Sequence, residues 1–152
     1  MKKLFKALLL ILFYIINFTW GILQNLLGLV FLIKYRKCRK ERYYNTLLTY
    51  HEEGWGGISL GIFLFIGAKH NEAWQTKARP HELGHTIQSL ILGPLFLIII
   101  GLPSVIWCNF CVKVWRNPEN NNAKYDDFYP ERNANWIGEK ITGIPLARGN
   151  DR

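Results

Sequence analysis

The chain has 152 residues, 49% apolar, 14% aromatic and 20% charged, and its 19 basic against 11 acidic side chains leave a formal charge of +8. That length supports about one domain, and the composition excludes an intrinsically disordered chain. Three cysteines do not make a disulfide framework, and the single Cys108-x-x-Cys111 pair lacks the second pair of a structural zinc knuckle, so a reducing compartment is expected.

The mean hydropathy of +0.01 averages two long uncharged stretches against dense polar ones, which points to a small protein that meets a membrane. The first stretch, residues 7–33, holds no charge. As one straight helix it would be about 40 Å long, more than the roughly 30 Å of a bilayer core. A signal peptide is not expected, because no small-residue cleavage site follows it. Two readings of residues 1–33 as a membrane anchor compete. The favoured one is a single tilted span; the other is a bent or re-entrant element, broken at Gly21 and Gln24-Asn25. Lys34, Arg36, Lys37, Arg39, Lys40 and Arg42 follow, and the positive-inside rule places this flank in the cytoplasm. Residues 34–57 then read as a basic juxtamembrane segment facing anionic lipid, with no nucleic-acid fold signature.

Residues 58–66 predict one short strand, 67–79 a polar loop, and 113–129 a loop around Asn-Pro-Glu-Asn-Asn-Asn. Between these loops, a helix is expected to begin with Pro80 in its first turn and to end at Gly93-Pro94. The second uncharged stretch, 90–112, is interrupted at Gly93-Pro94 and again at Gly101-Leu102-Pro103. A last helix is expected from 130 to 142 with Gly143 after it, and residues 144–152 form a loose tail. The expected fold class is mainly α and membrane-associated, with a short strand or small sheet beside the helix that carries His81. Residues 58–143 are its core.

One motif carries specific chemistry. In His81-Glu82-Leu83-Gly84-His85, histidines at i and i+4 share a helical face about 6 Å apart, within reach of one Zn²⁺. Glu82 beside them is placed to take a proton from a metal-bound water. Gln88 continues the face at i+7 and could help to hold a ligand or substrate. A catalytic zinc needs a third protein ligand, and the donors available are His51, Glu52, Glu53, His70, Glu72, Cys108, Cys111, Asp126, Asp127 and Glu131. Helical geometry favours Glu131, because Glu131, Asn135 and Gly138 share one face of the last helix. Asn135 could then hydrogen-bond a ligating histidine, while Ala134, Ile137 and Ile141 form an adjacent apolar stripe. Tyr125 and Tyr129 could stabilise an oxyanion, and no role is assigned to them.

His81–His85 followed 46 positions later by Glu131-Arg132-Asn133-Ala134-Asn135 resembles the gluzincin metallopeptidases, among them membrane-bound enzymes of the CAAX-prenyl-endopeptidase kind. It also resembles small bacterial membrane proteins with H-E-x-G-H-x-x-Q-S followed by L-G-P-L-aromatic, matched here by His81 to Ser89 and Leu92 to Phe96. The resemblance implies zinc on His81, His85 and Glu131, with Glu82 catalytic. Asn135 stands where those peptidases usually have Asp. For Glu131 to meet the histidines on one side of a bilayer, residues 90–112 are expected to dip in and return, turning at Gly101-Leu102-Pro103. The function expected is a zinc metallopeptidase acting on a peptide or membrane protein, at the cytoplasmic surface of a bacterial inner membrane. The alternative is a small membrane adaptor or immunity-type protein whose metal, if any, is structural, with His51 or His70 as a fourth ligand.

Overall fold

A two-residue turn organises the polar body. Residues 58–66, expected as one strand, form a hairpin instead: β3 (Gly57–Leu60) and β4 (Phe63–Gly67) join through Gly61-Ile62. Gly61 has φ +65°, at the position where a type II′ hairpin turn takes glycine. The computed structural model that shows this describes residues 2–111 and 128–146. Most of the expected loop 113–129 and all of the expected tail beyond Leu146 lie outside the described residues.

The basic segment 34–57 also supplies strands. β1 (Arg39–Tyr43) pairs antiparallel with β2 (Thr46–His51), and β2 runs parallel to β4, giving a four-stranded mixed sheet of order β1-β2-β4-β3. The sheet therefore runs across the expected boundary after residue 57. Several side chains of the basic run also find partners within this body. Lys40 Nζ donates to the carbonyls of Tyr35, Arg36 and Cys38, while Lys34 pairs with Glu53 and Arg39 with Glu41.

Side-chain alternation gives the sheet two apolar faces. On one, Leu48, Tyr50, Leu64 and Ile66 pack with Ala78 and Trp74 of helix α3 (Glu72–Leu92). On the other, Leu60, Phe63 and Phe65 pack with Tyr35, Phe31 and Leu32 at the end of helix α2 (Ile22–Lys34). The layers run α2, sheet, α3, and then α5 (Tyr129–Thr142) against the outer side of α3.

Helix α3 starts well before Pro80, where a polar loop was expected. Asn71 caps it by accepting from the Trp74 N–H, and Glu72 occupies the first turn. Pro80 sits inside the helix, where it supplies no N–H to the carbonyl of Thr76 four residues back.

The two apolar stretches are both bent. Helix α1 (Lys2–Thr19) meets α2 at 86°, so the favoured single span gives way to the bent element, broken near Gly21. The second turn lies at Gly93-Pro94, not at Gly101-Leu102-Pro103. Gly93 has φ +54°, and the chain beyond it leaves α3 at 116°. Residues 97–111 then stay helical, as a π-helical turn at Leu97–Gly101, α4 (Leu102–Ile106) and a second π-helical turn at Trp107–Cys111. The wider π turn ahead of Pro103 lets a proline pass without breaking the helix. Among the described residues no single helix is long and apolar enough to cross a membrane, although the two bent pairs meet that test of length and composition together.

Polar side chains hold the bends. Buried Asn25 donates to the carbonyls of Asn17 and Gly21 at the α1–α2 bend, and accepts from the Ile62 N–H in the β3–β4 turn at 3.0 Å. Gln24 Nε2 donates to the Gly93 carbonyl, and the Trp20 indole covers Gly93 so closely that any side chain there would overlap it. Gln24-Asn25, the polar interruption in the first apolar stretch, thus fastens the first bend to the second.

Candidate metal centre

Two glycines set how closely α3 and α5 approach. A Cβ on Gly84 would overlap the carbonyl of Ala134, and one on Gly138 would overlap the carbonyl of Pro80. The close crossing brings Glu131, in the first turn of α5, onto the histidine face of α3. Its Oε2 lies 3.2 Å from His81 Nε2 and 3.4 Å from His85 Nε2, and the three ligand atoms fall within 4.8 Å of one another. Glu131 is fully buried; Oε2 faces the two imidazole nitrogens, and Oε1 has no hydrogen-bond partner.

The outer nitrogens of both rings are committed. His81 Nδ1 lies 2.7 Å from Asn135 Oδ1, as the face-sharing argument anticipated, and His85 Nδ1 lies 2.7 Å from Gln88 Oε1. The Gln88 amide is oriented by its other end, since Nε2 donates to the Pro130 carbonyl and to Asn133 Oδ1, each at 2.9 Å. The oxygen therefore faces His85, which donates its Nδ1 proton. With Nδ1 protonated on both neutral rings, both Nε2 lone pairs point at the Glu131 carboxylate. Three acceptors face one buried point, and only a proton or a metal cation relieves that arrangement. In the metal-free cluster a proton fills the role. Burial opposes charge on His81, yet the bond to Glu131 and the charges of Glu82 and Glu131 outweigh burial and lift its pKa to about 9. Burial likewise opposes ionisation of Glu131, and the two histidines overcome it, holding the carboxyl far below the usual range.

Glu82 is buried beside the histidine face, about 100° around α3 from His81 and turned toward the sheet, within electrostatic reach of His81, His85 and Glu131. Burial raises its pKa, and Oε2 has no partner. Its carboxyl rests on Gly57 at the start of β3, so closely that any side chain there would collide with it. One turn along, Thr86 hydrogen-bonds Ser59 at 3.0 Å and ties the same strand to α3.

Of the other expected donors, none described joins the group. His51 Nε2 donates to the Gly56 carbonyl at 3.1 Å while its ring stacks on Trp55. His70 Nε2 faces the Trp55 carbonyl at 3.3 Å and stacks on Trp74. Glu53 is held by Lys34 and Trp55, Glu72 lies in the first turn of α3, and Glu52 and Cys108 are exposed. The Cys111 side chain, Tyr125, Asp126 and Asp127 lie outside the described residues. Tyr129 turns away, donating its hydroxyl to the carbonyl of Ile99, the group to which Pro103 has no N–H to give. Reading the motif had not singled out Asn133 or Gly57. Asn133 stands two residues past Glu131 in a segment with several other polar candidates, and Gly57 depends on strand pairing far from α3 in sequence. Comparisons with protein families, curated proteins and solved structures return no match for this chain.

Proposed function

We propose that this chain is a membrane-associated zinc metallopeptidase, with His81, His85 and Glu131 as metal ligands and Glu82 as the general base. The observation that carries the reading is the convergence of two imidazole Nε2 atoms and a fully buried carboxylate on one point. Two imidazoles and one carboxylate are the donor set of a catalytic zinc, which keeps its fourth position open. A closed structural site needs a fourth protein ligand, and His51 and His70 are turned to backbone carbonyls instead.

A bound zinc would polarise a peptide carbonyl and acidify an attacking water. Glu82 takes the proton of that water and passes it to the leaving amine, and its raised pKa suits a group that must both accept and return a proton. Asn135 and Gln88 fix the tautomers of His81 and His85. The outer edge of β3 offers a place to align substrate. Gly67 N–H donates to the Gly56 carbonyl, so Gly56, Ile58 and Leu60 bond inward to β4. Gly57, the exposed start of β3, is left with outward N–H and C=O groups beside Glu82 that suit backbone pairing with a peptide, while Ser59 further along is buried.

Membrane association rests on apolar surface at the two bends. Leu8, Ile11, Leu12 and Ile15 on α1, Leu26, Leu27, Val30 and Ile33 on α2, and Ile98, Leu102, Val105 and Phe110 beyond Gly93 are all exposed. Phe128 stacks on Trp107, and Tyr129 bonds Ile99, so α5 returns to the apolar helix. The exposed Arg36 and Lys37 after α2 favour an anionic cytoplasmic leaflet.

Purified protein should carry about one zinc per chain, lost in His81→Ala and Glu131→Ala. Glu82→Gln should keep the metal and lose peptide hydrolysis. A folded wild type that binds no transition metal refutes the proposal.

A further inference from the structure

Among the described residues no strand pairs with the outer edge of β1. The Tyr44-Asn45 turn closes a two-residue hairpin in which Tyr43 pairs with Thr46, so Tyr43, Glu41 and Arg39 bond inward to β2. Lys40 and Arg42 between them turn their N–H and C=O groups outward, and no described backbone group engages either one. Arg39 and Arg42 are exposed, Lys40 and Glu41 are half-buried, and of β1 only Tyr43 packs into either apolar core. From Arg39 to Tyr43 the edge spans about 13 Å, enough to pair with roughly five residues of a partner.

Charge on this edge is one-sided. Residues 36–42 hold five basic side chains against one acid, Glu41. Arg39 and, from α3, Arg79 lie over the Tyr50 ring at 4.4 and 5.6 Å from its centre. Arg39 pairs with Glu41 at 2.8 Å, whereas Arg79 makes no ion pair among the described residues and its buried Nε has no hydrogen-bond partner. An unpaired row of N–H and C=O groups does not lie in hydrocarbon, so this edge faces water or headgroups. A second copy of the chain fits it badly. In an antiparallel pairing centred on Glu41, Lys40 of each copy would stand opposite Arg42 of the other, and like charges directly opposite destabilise a sheet.

We propose that the outer edge of β1 docks an acidic polypeptide segment in extended conformation, which adds a fifth strand to the sheet. Its backbone pairs with Lys40 and Arg42. Its side chains on the α3 side meet Arg39 and Arg79, and those on the other side meet Arg42. Docking of this kind needs no metal and does not rest on the peptidase reading.

The test uses the full chain in neutral detergent at physiological ionic strength. Its probes are a short fluorescein-labelled peptide of alternating glutamate and valine, and a lysine–valine counterpart. Fluorescence anisotropy reads binding, and amide hydrogen exchange followed by NMR reads residues 40 and 42. The acidic peptide should bind, the basic one should not, and exchange at Lys40 and Arg42 should slow. Methylating every second amide nitrogen of the peptide, in each of the two phases, keeps its charge and blocks pairing along one of its edges. Loss of binding in either phase supports a paired strand, and full binding in both overturns it. Arg42→Glu should weaken binding about tenfold. Arg42→Pro removes only an outward N–H, so it should keep the melting temperature and lose the peptide. Unchanged binding by both variants overturns the proposal. So does a wild type that binds phosphatidylglycerol vesicles but not the peptide, which gives the edge to lipid. A wild-type dimer that Arg42→Pro breaks gives it to a second copy and also overturns the proposal. Zinc content should stay at the wild-type level in both variants, so failure of the peptide to dock leaves the peptidase reading standing.

Discussion

Gln88 offers the sharpest test of how the centre is held. Its side chain is 4% exposed and makes three hydrogen bonds: it accepts from His85 Nδ1, and it donates to Pro130 O and Asn133 Oδ1. Gln88→Leu keeps the approximate volume and removes all three. The buried His85 Nδ1 donor is then orphaned, at about 1–3 kcal/mol where water cannot reach, and the buried Pro130 carbonyl loses one partner, whereas exposed Asn133 turns to water. The His85 ring also loses the partner that fixes its tautomer, and loss of such a partner typically costs 10–100-fold in metal affinity, about 1.4–2.8 kcal/mol. Gln88→Glu separates the two duties, since its carboxylate still accepts from His85 but has no proton for Pro130 O and Asn133 Oδ1. Competition with a chromophoric zinc chelator reads the affinity, and thermal unfolding with excess zinc or with EDTA reads the stability. Both variants should melt earlier, and the leucine variant should bind zinc more weakly than the glutamate variant. A folded Gln88→Leu protein with wild-type zinc affinity would refute the argument that this amide orients His85.

Protonation and the bends give two further expectations. Because His81 in the metal-free cluster titrates at about 9, it holds a proton near pH 7 that zinc must displace. Apparent affinity should therefore rise about tenfold per pH unit from pH 6.5 to 8, with about one proton released per zinc; calorimetry in buffers of different ionisation enthalpy measures that release, and its absence would show both rings already neutral. Asn25→Leu removes two buried bonds to the α1–α2 bend and the part-buried acceptor for Ile62 N–H. It should lower stability in detergent by about 1–3 kcal/mol while leaving zinc affinity unchanged, and an equally stable variant would show that the bend holds without it.

The grouping of His81, His85 and Glu131 was legible because it rests on helical periodicity. His81 and His85 at i and i+4, and Glu131 and Asn135 at i and i+4, each require only a regular helix, and both helices formed where the spacing demanded. Elements that depend on turn chemistry were harder to read. Gly61 lies in the middle of an apolar run, and its role as the first turn residue of a hairpin becomes apparent only once β3 and β4 pair around it. Pro80 reads locally as a helix start, but the Asn71 cap and the packing of Trp74 and Ala78 on the sheet carry the helix through it. Gly101 and Pro103 look like a break and are absorbed by a wider helical turn, whereas Gly93, with its positive φ under Trp20, makes the real one. Within the basic run 34–42, charge counts carry no information on pairing, and the three carbonyls that engage Lys40 could be found only from the fold.

Most interruptions of the apolar stretches turn out to be junctions, and they bind the proposed centre to the proposed membrane face. Gln24 reaches the Gly93 carbonyl, eight residues beyond His85 on the same run of helix. Asn25 holds the turn at the far end of the strand that begins beside Glu82. Pro103 withholds an N–H from the carbonyl that Tyr129 engages, two residues before Glu131. Each of the three elements proposed to meet in catalysis is therefore fastened, at one end, to a bend whose outer surface is apolar. A rigid connection of that kind transmits displacement, so tilting the apolar helix would shift Glu131 relative to His81 and His85. Ligand distances of zinc sites tolerate only about 0.2 Å, so the proposed centre would depend on the arrangement of the bends.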